Sequence, residues 1–382
     1  MFEVRNTSFS IINLNLIQVS GQADVIEEGE FIKASDAKIS LSSVNTNGFS
    51  ASGNGGAINA LNTPVTIKGG NFTEGGALNG GFLYMDGGNN LSIDSALIEF
   101  HSVAEEGGAI FVRGSVVTKI TNSKFYRNNA NYGSAINVGL ASNQKSLSIS
   151  KSTFEQNNSA TGGAVTWRGS MGNVLISQST FNNNLGFVNG SAFENSDGAA
   201  KILIINSTFS HNESFGMGSA VLNLGENVEM NTVYNTFVGN NSNTGEGTFT
   251  SSSPLAWSPS YLENNIFSGN SGGDCNLAST VNFVKTNNLS DDGTCGSVAA
   301  TGVDQTLQDN GGPTLTHKLF AGSNAIDSAI ESRVKIACPK EDQRTFVRPV
   351  DGNADGVARC DIGSYEFVNS SKPGLIFSSS RR

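Results

Sequence analysis

The chain has 382 residues, with 23 Lys and Arg against 33 Asp and Glu, a formal charge of −10 and a pI near 4.9. That balance excludes a general nucleic-acid binder, which needs clustered cations to neutralise phosphates. A charged fraction of 15% is too low for a typical disordered segment, and 45 Gly with abundant Asn and Ser disfavour helices, leaving strands and turns.

The N-terminal "MFEVRNTSFSIINLNLIQVSG" lacks the zones of a signal peptide, and "FSIINLNLI" alternates like a strand. The chain therefore reads as beginning inside a folded body, with a leader and upstream coils expected before it. No apolar run reaches the roughly 18 residues of a spanning helix, so no transmembrane segment is expected.

From there one phrase is rewritten along the chain: "NSKFYRNNANYGSAINV", "STFEQNNSATGGAVTW", "QSTFNNNLGFVNGSAFEN", "NSTFSHNESFGMGSAVLN". Taking the large apolar residue before the Asn-rich turn as a phase marker gives Val44, Phe72, Leu97, Phe125, Phe154, Phe181, Phe209, Phe237 and Phe267. A second marker, the small residue of a Gly-x-Ala signature, follows at Ala57, Ala109, Ala135, Ala164, Ala192 and Ala220, with Phe82 and Thr248 at the equivalent place. Two markers in phase at about 28-residue spacing predict a solenoid. Within each unit the apolar residues alternate with period two, as in "KSLSISKSTF". The fold class is therefore all-β: a right-handed parallel β-helix of the pectin-lyase-like kind, with about three short strands per coil.

In this reading each marker Phe points inward and stacks on the next, removing apolar surface worth roughly 1.5 to 3 kcal/mol apiece from water. Asn129, Asn158, Asn184, Asn212 and Asn241 are expected at strand corners as a ladder of stacked amides. Gly162 and Gly163 let the backbone turn tightly before Ala164. Outward positions two residues after the marker read Arg127, Gln156, Asn183, His211 and Gly239, and as a string they suggest no consistent site.

One surface feature is less bland. "GGAIFVRG" and "GGAVTWRG" place Arg113 and Arg168 two coils apart in the same phase, with Trp167 beside the second. An Arg pair next to an aromatic is the candidate grip for an acidic glycan; the competing reading is an inward Trp167 and two solvated charges.

From about residue 254 the language changes. Residues 1–253 are assigned to coils, 254–367 to the last coils plus a C-terminal region, and 368–382 to a flexible tail. All four cysteines lie here in two local pairs, and neither spacing is a CxxC pattern. Disulfides Cys275 with Cys295 and Cys338 with Cys360 are expected, and with them an oxidising compartment. The stretch "DGNADGVARCD" sets Asp351, Asn353 and Asp355 before Gly356 like the start of a calcium loop, with Asp361 as a further candidate ligand. Position twelve is Ile362, so this is no EF-hand, and an ordinary Asp-Gly turn is the alternative.

Parallel β-helices include polysaccharide-cleaving enzymes, whose chemistry needs paired carboxylates or a Lys or Arg base beside a cation. Neither signature is evident. Asp291 and Asp292 fall in the loop of a cysteine pair, and "GNSGG" around Ser271 lacks the strand-to-helix setting of a nucleophile elbow. His101, His211 and His317 lie far apart and out of phase, against a His-rich metal site.

The alternating "GGA(I/L/V)" and "FxxN" motifs resemble the repeats of the polymorphic outer membrane proteins of chlamydiae, a family linked to adhesion. "GGDCN", "NNLSDDGTCG", "DNGGPTLTHKLFAGSNAIDSA" and "CPKEDQRTFVRPVDGNADGVARCDIGSYEF", over roughly Asn264 to Phe367, resemble the C-terminal region of bacterial choice-of-anchor Q proteins. That resemblance implies a secreted or cell-surface bacterial β-helix and a structural His317. After "YEF" the chain departs from the family, with no sorting motif in "VNSSKPGLIFSSSRR". The expected function is a non-catalytic, adhesin-like or structural module, a monomer whose partner is a polysaccharide or another cell-surface component. The alternative is a polysaccharide lyase or glycoside hydrolase acting on an acidic polysaccharide.

Overall fold

The computed structural model describes residues 1–17, 29–139, 146–169, 171–197, 199–252, 259–279, 282–334, 336 and 338–369. The expected boundary at 253/254 and all of the expected tail beyond residue 369 lie outside them. Every described strand pair is parallel, and no described residue is in a helix.

Three eleven-stranded sheets run the length of the coil stack. The first spans Phe2–Arg5 to Cys275–Leu277, the second Ser8–Ile12 to Phe283–Thr286 and the third Asn15–Ile17 to Leu289–Ser290. A fourth, of seven two-residue strands from Gly76–Ala77 to Asn241–Ser242, turns the corner between the third sheet and the next coil. The alternation in the sequence becomes burial: in Ser146–Ser150, Leu147 and Ile149 enter the core while the serines are half exposed. The chain is a parallel β-helix.

The marker Phe residues stack as expected. From Phe125 through Phe154, Phe181, Phe209 and Phe237 to Phe267, successive ring centroids lie 4.8, 4.8, 5.0, 4.9 and 4.5 Å apart, with planes within 11° of parallel. Two markers are corrected by the register. Phe72 pairs with Thr46 and Ile98, so Val44 and Leu97 lie two residues and one residue before the inward position. The Gly-x-Ala markers do share one phase: the backbone N–H groups of Ala57, Phe82, Ala109, Ala135 and Ala220 donate to their counterparts a coil later, while that of Ala164 goes to Ser191, one residue before Ala192. Gly107, the first glycine of its signature, has φ 65°, and a Cβ there would lie 2.3 Å from the Ile110 carbonyl oxygen. Only glycine fits.

Two buried polar ladders hold the corners of the third sheet. At its end, Asn128, Asn157, Asn184, Asn212, Asn240 and Asn270 form the amide ladder, each Nδ2 donating to the next Oδ1 at 2.8 to 3.0 Å. The expected Asn129, Asn158 and Asn241 are each one residue too late: they pair in the fourth sheet instead. At the start of the sheet a second row runs Ser123, Ser152, Ser179, Ser207, Asn235, Asn265 and Asn288, each member's N–H donating to the next side-chain oxygen. In a low-dielectric interior, satisfied chains of this kind fix one register and penalise any slip.

The C-terminal region doubles back as a strap over the outer face of the third sheet. Lys124, Thr153, Thr180, Thr208, Thr236 and Ile266 share one register position. Lys124 is exposed, whereas the last four are buried. Thr180 Oγ1 donates to the Leu315 carbonyl (2.7 Å), Thr208 Oγ1 to Gln343 Oε1 (2.6 Å), and the Ser364 N–H donates to Thr236 Oγ1 (3.0 Å). Inside the strap, Arg348 pairs with Glu366 at 2.7 Å and also donates to Asn206 Oδ1 and to the Asp361, Gly363 and Tyr365 carbonyls. Arg344 pairs with Asp342 at 2.7 Å, beneath the Tyr365 ring. Both disulfides form as expected, Cys275–Cys295 at the last coil and Cys338–Cys360 within the strap.

Candidate functional site

At the end of each third-sheet strand the residue two after the Phe adopts a left-handed conformation, with φ of 53°, 55°, 53° and 52° at Arg127, Gln156, Asn183 and His211. That bend turns the next residue, the ladder Asn, inward and throws the bent residue's side chain out. Because the ladder fixes every coil at the same phase, the four outward side chains come together. With Asn158, Leu185 and Glu213 of the fourth sheet they line an open groove of about 380 Å³. The sequence string suggested no consistent site there; stacking makes one.

The groove's side chains are oriented from beneath. Arg127 Nε donates to Gln156 Oε1 at 2.7 Å, and the guanidinium lies 5.0 Å from the Tyr126 ring centre. Glu213 Oε1 accepts from Asn243 Nδ2 at 2.9 Å and Asn241 Nδ2 at 3.3 Å. His211 is set by a relay from the strap. Burial pulls His317 down to about 4, so its ring is neutral near pH 7. Its Nδ1 lies 2.7 Å from the Asp304 carbonyl, which can only accept, so Nδ1 carries the proton. Nε2 then accepts from Ser210 Oγ at 3.0 Å, and Ser210 Oγ in turn accepts from His211 Nδ1 at 2.7 Å. Gly239, at His211's equivalent position in the next coil, leaves room for the ring: a Cβ there would lie 2.9 Å from His211 Nε2.

Two residues beyond Leu185 and Glu213, just past the fourth-sheet strands, stand Phe187 and Phe215, whose backbone N–H groups donate to the Ser159 and Gly186 carbonyls of the preceding coils. Their rings are parallel within 3°, with centroids 6.1 Å apart, and each is about half exposed (54% and 49%). Each follows its marker Phe by six residues, a constant offset that would have flagged the pair in the sequence.

The residues singled out in the sequence lie elsewhere. Arg113 and Arg168 share the predicted phase, and each is ion-paired. Arg113 pairs with Asp86 at 2.9 Å, and Arg168 bridges Glu106 and Asp197. Trp167 is fully buried and cannot stack on a ligand outside the coil. The aromatic part of the expected grip is therefore corrected, and the two Arg residues stand in separate ion pairs at the surface. The candidate calcium ligands also part company. Asp355 and Asn353 accept backbone N–H groups of their own turn, and Gly356 N–H donates to Asp351 Oδ2. Asp361 is buried in the strap, its carboxylate accepting from the Asp327 and Phe367 N–H groups. Burial and the nearby Glu366 push it up to about 8. Among the described residues no cluster of three or more His, Cys, Asp or Glu could hold a metal ion. Asp291 and Asp292 cap backbone N–H groups of Gly269, Asp274 and Thr294 beside the first disulfide.

No protein-family model, curated protein or solved structure matches the chain. No helix among the described residues is long and apolar enough to cross a membrane, and the two disulfides point to an oxidising setting.

Proposed function

We propose that the chain is a secreted or cell-surface bacterial β-helix protein acting as a non-catalytic, adhesin-like module that holds its corner groove out to a polymeric partner. The observation that carries this reading is the construction of the groove: one outward side chain per coil, on a corner fixed by a buried amide ladder. A rigid, axially repeating surface suits an extended ligand. The C-terminal motifs that resemble choice-of-anchor Q proteins support the surface setting, and the paired cysteines agree with it.

Cleavage finds less support. Of the groove's lining residues Glu213 is the one carboxylate, and hydrolysis of a glycosidic bond ordinarily takes two. The reading is tested by incubating the purified protein with a polysaccharide panel while recording binding, unsaturated-product absorbance and reducing ends. Binding without product is expected; turnover would overturn it.

A further inference from the structure

The groove and the Phe187–Phe215 pair form one strip. Leu185 and Glu213 line the groove, and each Phe stands two residues further on, just beyond the end of its two-residue strand. An aligned aromatic pair left half exposed in successive coils is unlike every buried Phe of the core row, and Val188, 52% exposed, extends its apolar edge. Beside it stand three amides, Gln156, Asn158 and Asn183, which both donate and accept. The formal charges of the strip cancel: one Arg127 against one Glu213, on a chain whose net charge of −10 repels polyanions.

A ligand that matches this strip needs an apolar face, a rim of hydroxyls that both donate and accept, and no net charge. We infer that the strip binds a neutral hexopyranose polymer along the coil axis, with C–H faces of the sugars against Phe187 and Phe215 and hydroxyls toward Gln156, Asn183 and His211. This rests on the binding-module reading and replaces the acidic polysaccharide expected from the sequence with an uncharged one.

The test uses the full chain in isothermal titration against soluble mannan, mixed-linkage glucan, galactan and glucomannan, with polygalacturonate and alginate alongside. Binding to a neutral polymer is expected, unchanged in about 0.5 M NaCl because no ion pairs form. Phe187→Ala and Phe215→Ala should each weaken it roughly tenfold without changing the melting temperature. Failure to bind any of the four neutral polymers, or Phe variants that bind like the parent, overturns the inference. Salt-sensitive binding of the polyanions alone overturns it too, while leaving the binding-module reading in place; cleavage of a bound polymer overturns that reading instead. Self-association abolished by Phe187→Ala would also overturn the inference, by giving the strip to a second copy of the chain.

Discussion

The His101 N–H donates to Asn128 Oδ1 at 3.1 Å, so His101 holds the rung of the corner ladder just before Asn128. Its ring replaces the amide: Nδ1 accepts from Gly75 N–H at 3.0 Å, which leaves Nε2–H to donate to the Phe72 carbonyl at 3.0 Å. Only a neutral imidazole can do both. Burial accordingly draws its pKa from 6.5 down to about 4.

This makes folding pH-dependent with a defined sign. Between about 4 and 6.5 the unfolded chain binds the proton that folded His101 refuses, so stability present above 6.5 is lost as pH falls toward 4. The loss is up to roughly 3 kcal/mol for this residue. His317, also drawn to about 4, acts in the same direction. Asp361, raised to about 8, has the opposite sign, its contribution falling as pH rises from the usual carboxyl range toward 8. Replacing His101 by Asn isolates the first effect: the acid-side fall in melting temperature should shrink by the His101 share in His101→Asn, with the His317 and Asp361 contributions left in place. Circular-dichroism melts across the acid range measure it.

The ladder register is tested by neighbours. Asn157→Ala removes the acceptor of the Asn128 N–H and Nδ2, and takes one donor from the Phe125 carbonyl. It should cost roughly 2 to 4 kcal/mol in urea unfolding. Asn158→Ala, at a half-exposed position of the fourth sheet, should cost well under about 1 kcal/mol.

Within the strap, Arg348→Ala leaves Glu366 buried without its cation and three carbonyls without a donor. A destabilisation of roughly 3 to 5 kcal/mol is expected. Because the strap lies on the third sheet, proteolysis should then begin between residues 300 and 367 while the coils resist it.

Gly107→Ala and Gly245→Ala separate crowding from backbone strain. Both glycines have positive φ, but a Cβ at Gly245 meets nothing within 4 Å, whereas at Gly107 it strikes backbone. Gly245→Ala should cost about 1 kcal/mol and Gly107→Ala several times that, read from thermal melts.

The coil period was legible because aromatic residues mark it, and it slipped where they are missing: at Thr46 the inward residue is polar, and at Ile98 two apolar residues stand together. The amide ladder slipped where two Asn are adjacent, although a constant offset of three from Phe125, Phe154, Phe181, Phe209, Phe237 and Phe267 picks the right one each time. The serine row, two residues before the same Phe, was equally available. The cysteine pairs were legible because they are local. The strap was not, because Thr180 meeting Leu315 and Thr208 meeting Gln343 join positions 135 residues apart with no periodic signal. The groove escaped for a related reason: its residues differ in type from coil to coil, and only stacking gathers them.

The central claim, that the corner groove is the binding face, is tested most directly by hydrogen exchange of the full chain with and without a saturating bound polysaccharide. The account predicts added protection confined to the coil corners around residues 156–158, 183–187 and 211–215. Protection centred instead on Arg113 and Arg168, or on the strap, would contradict it.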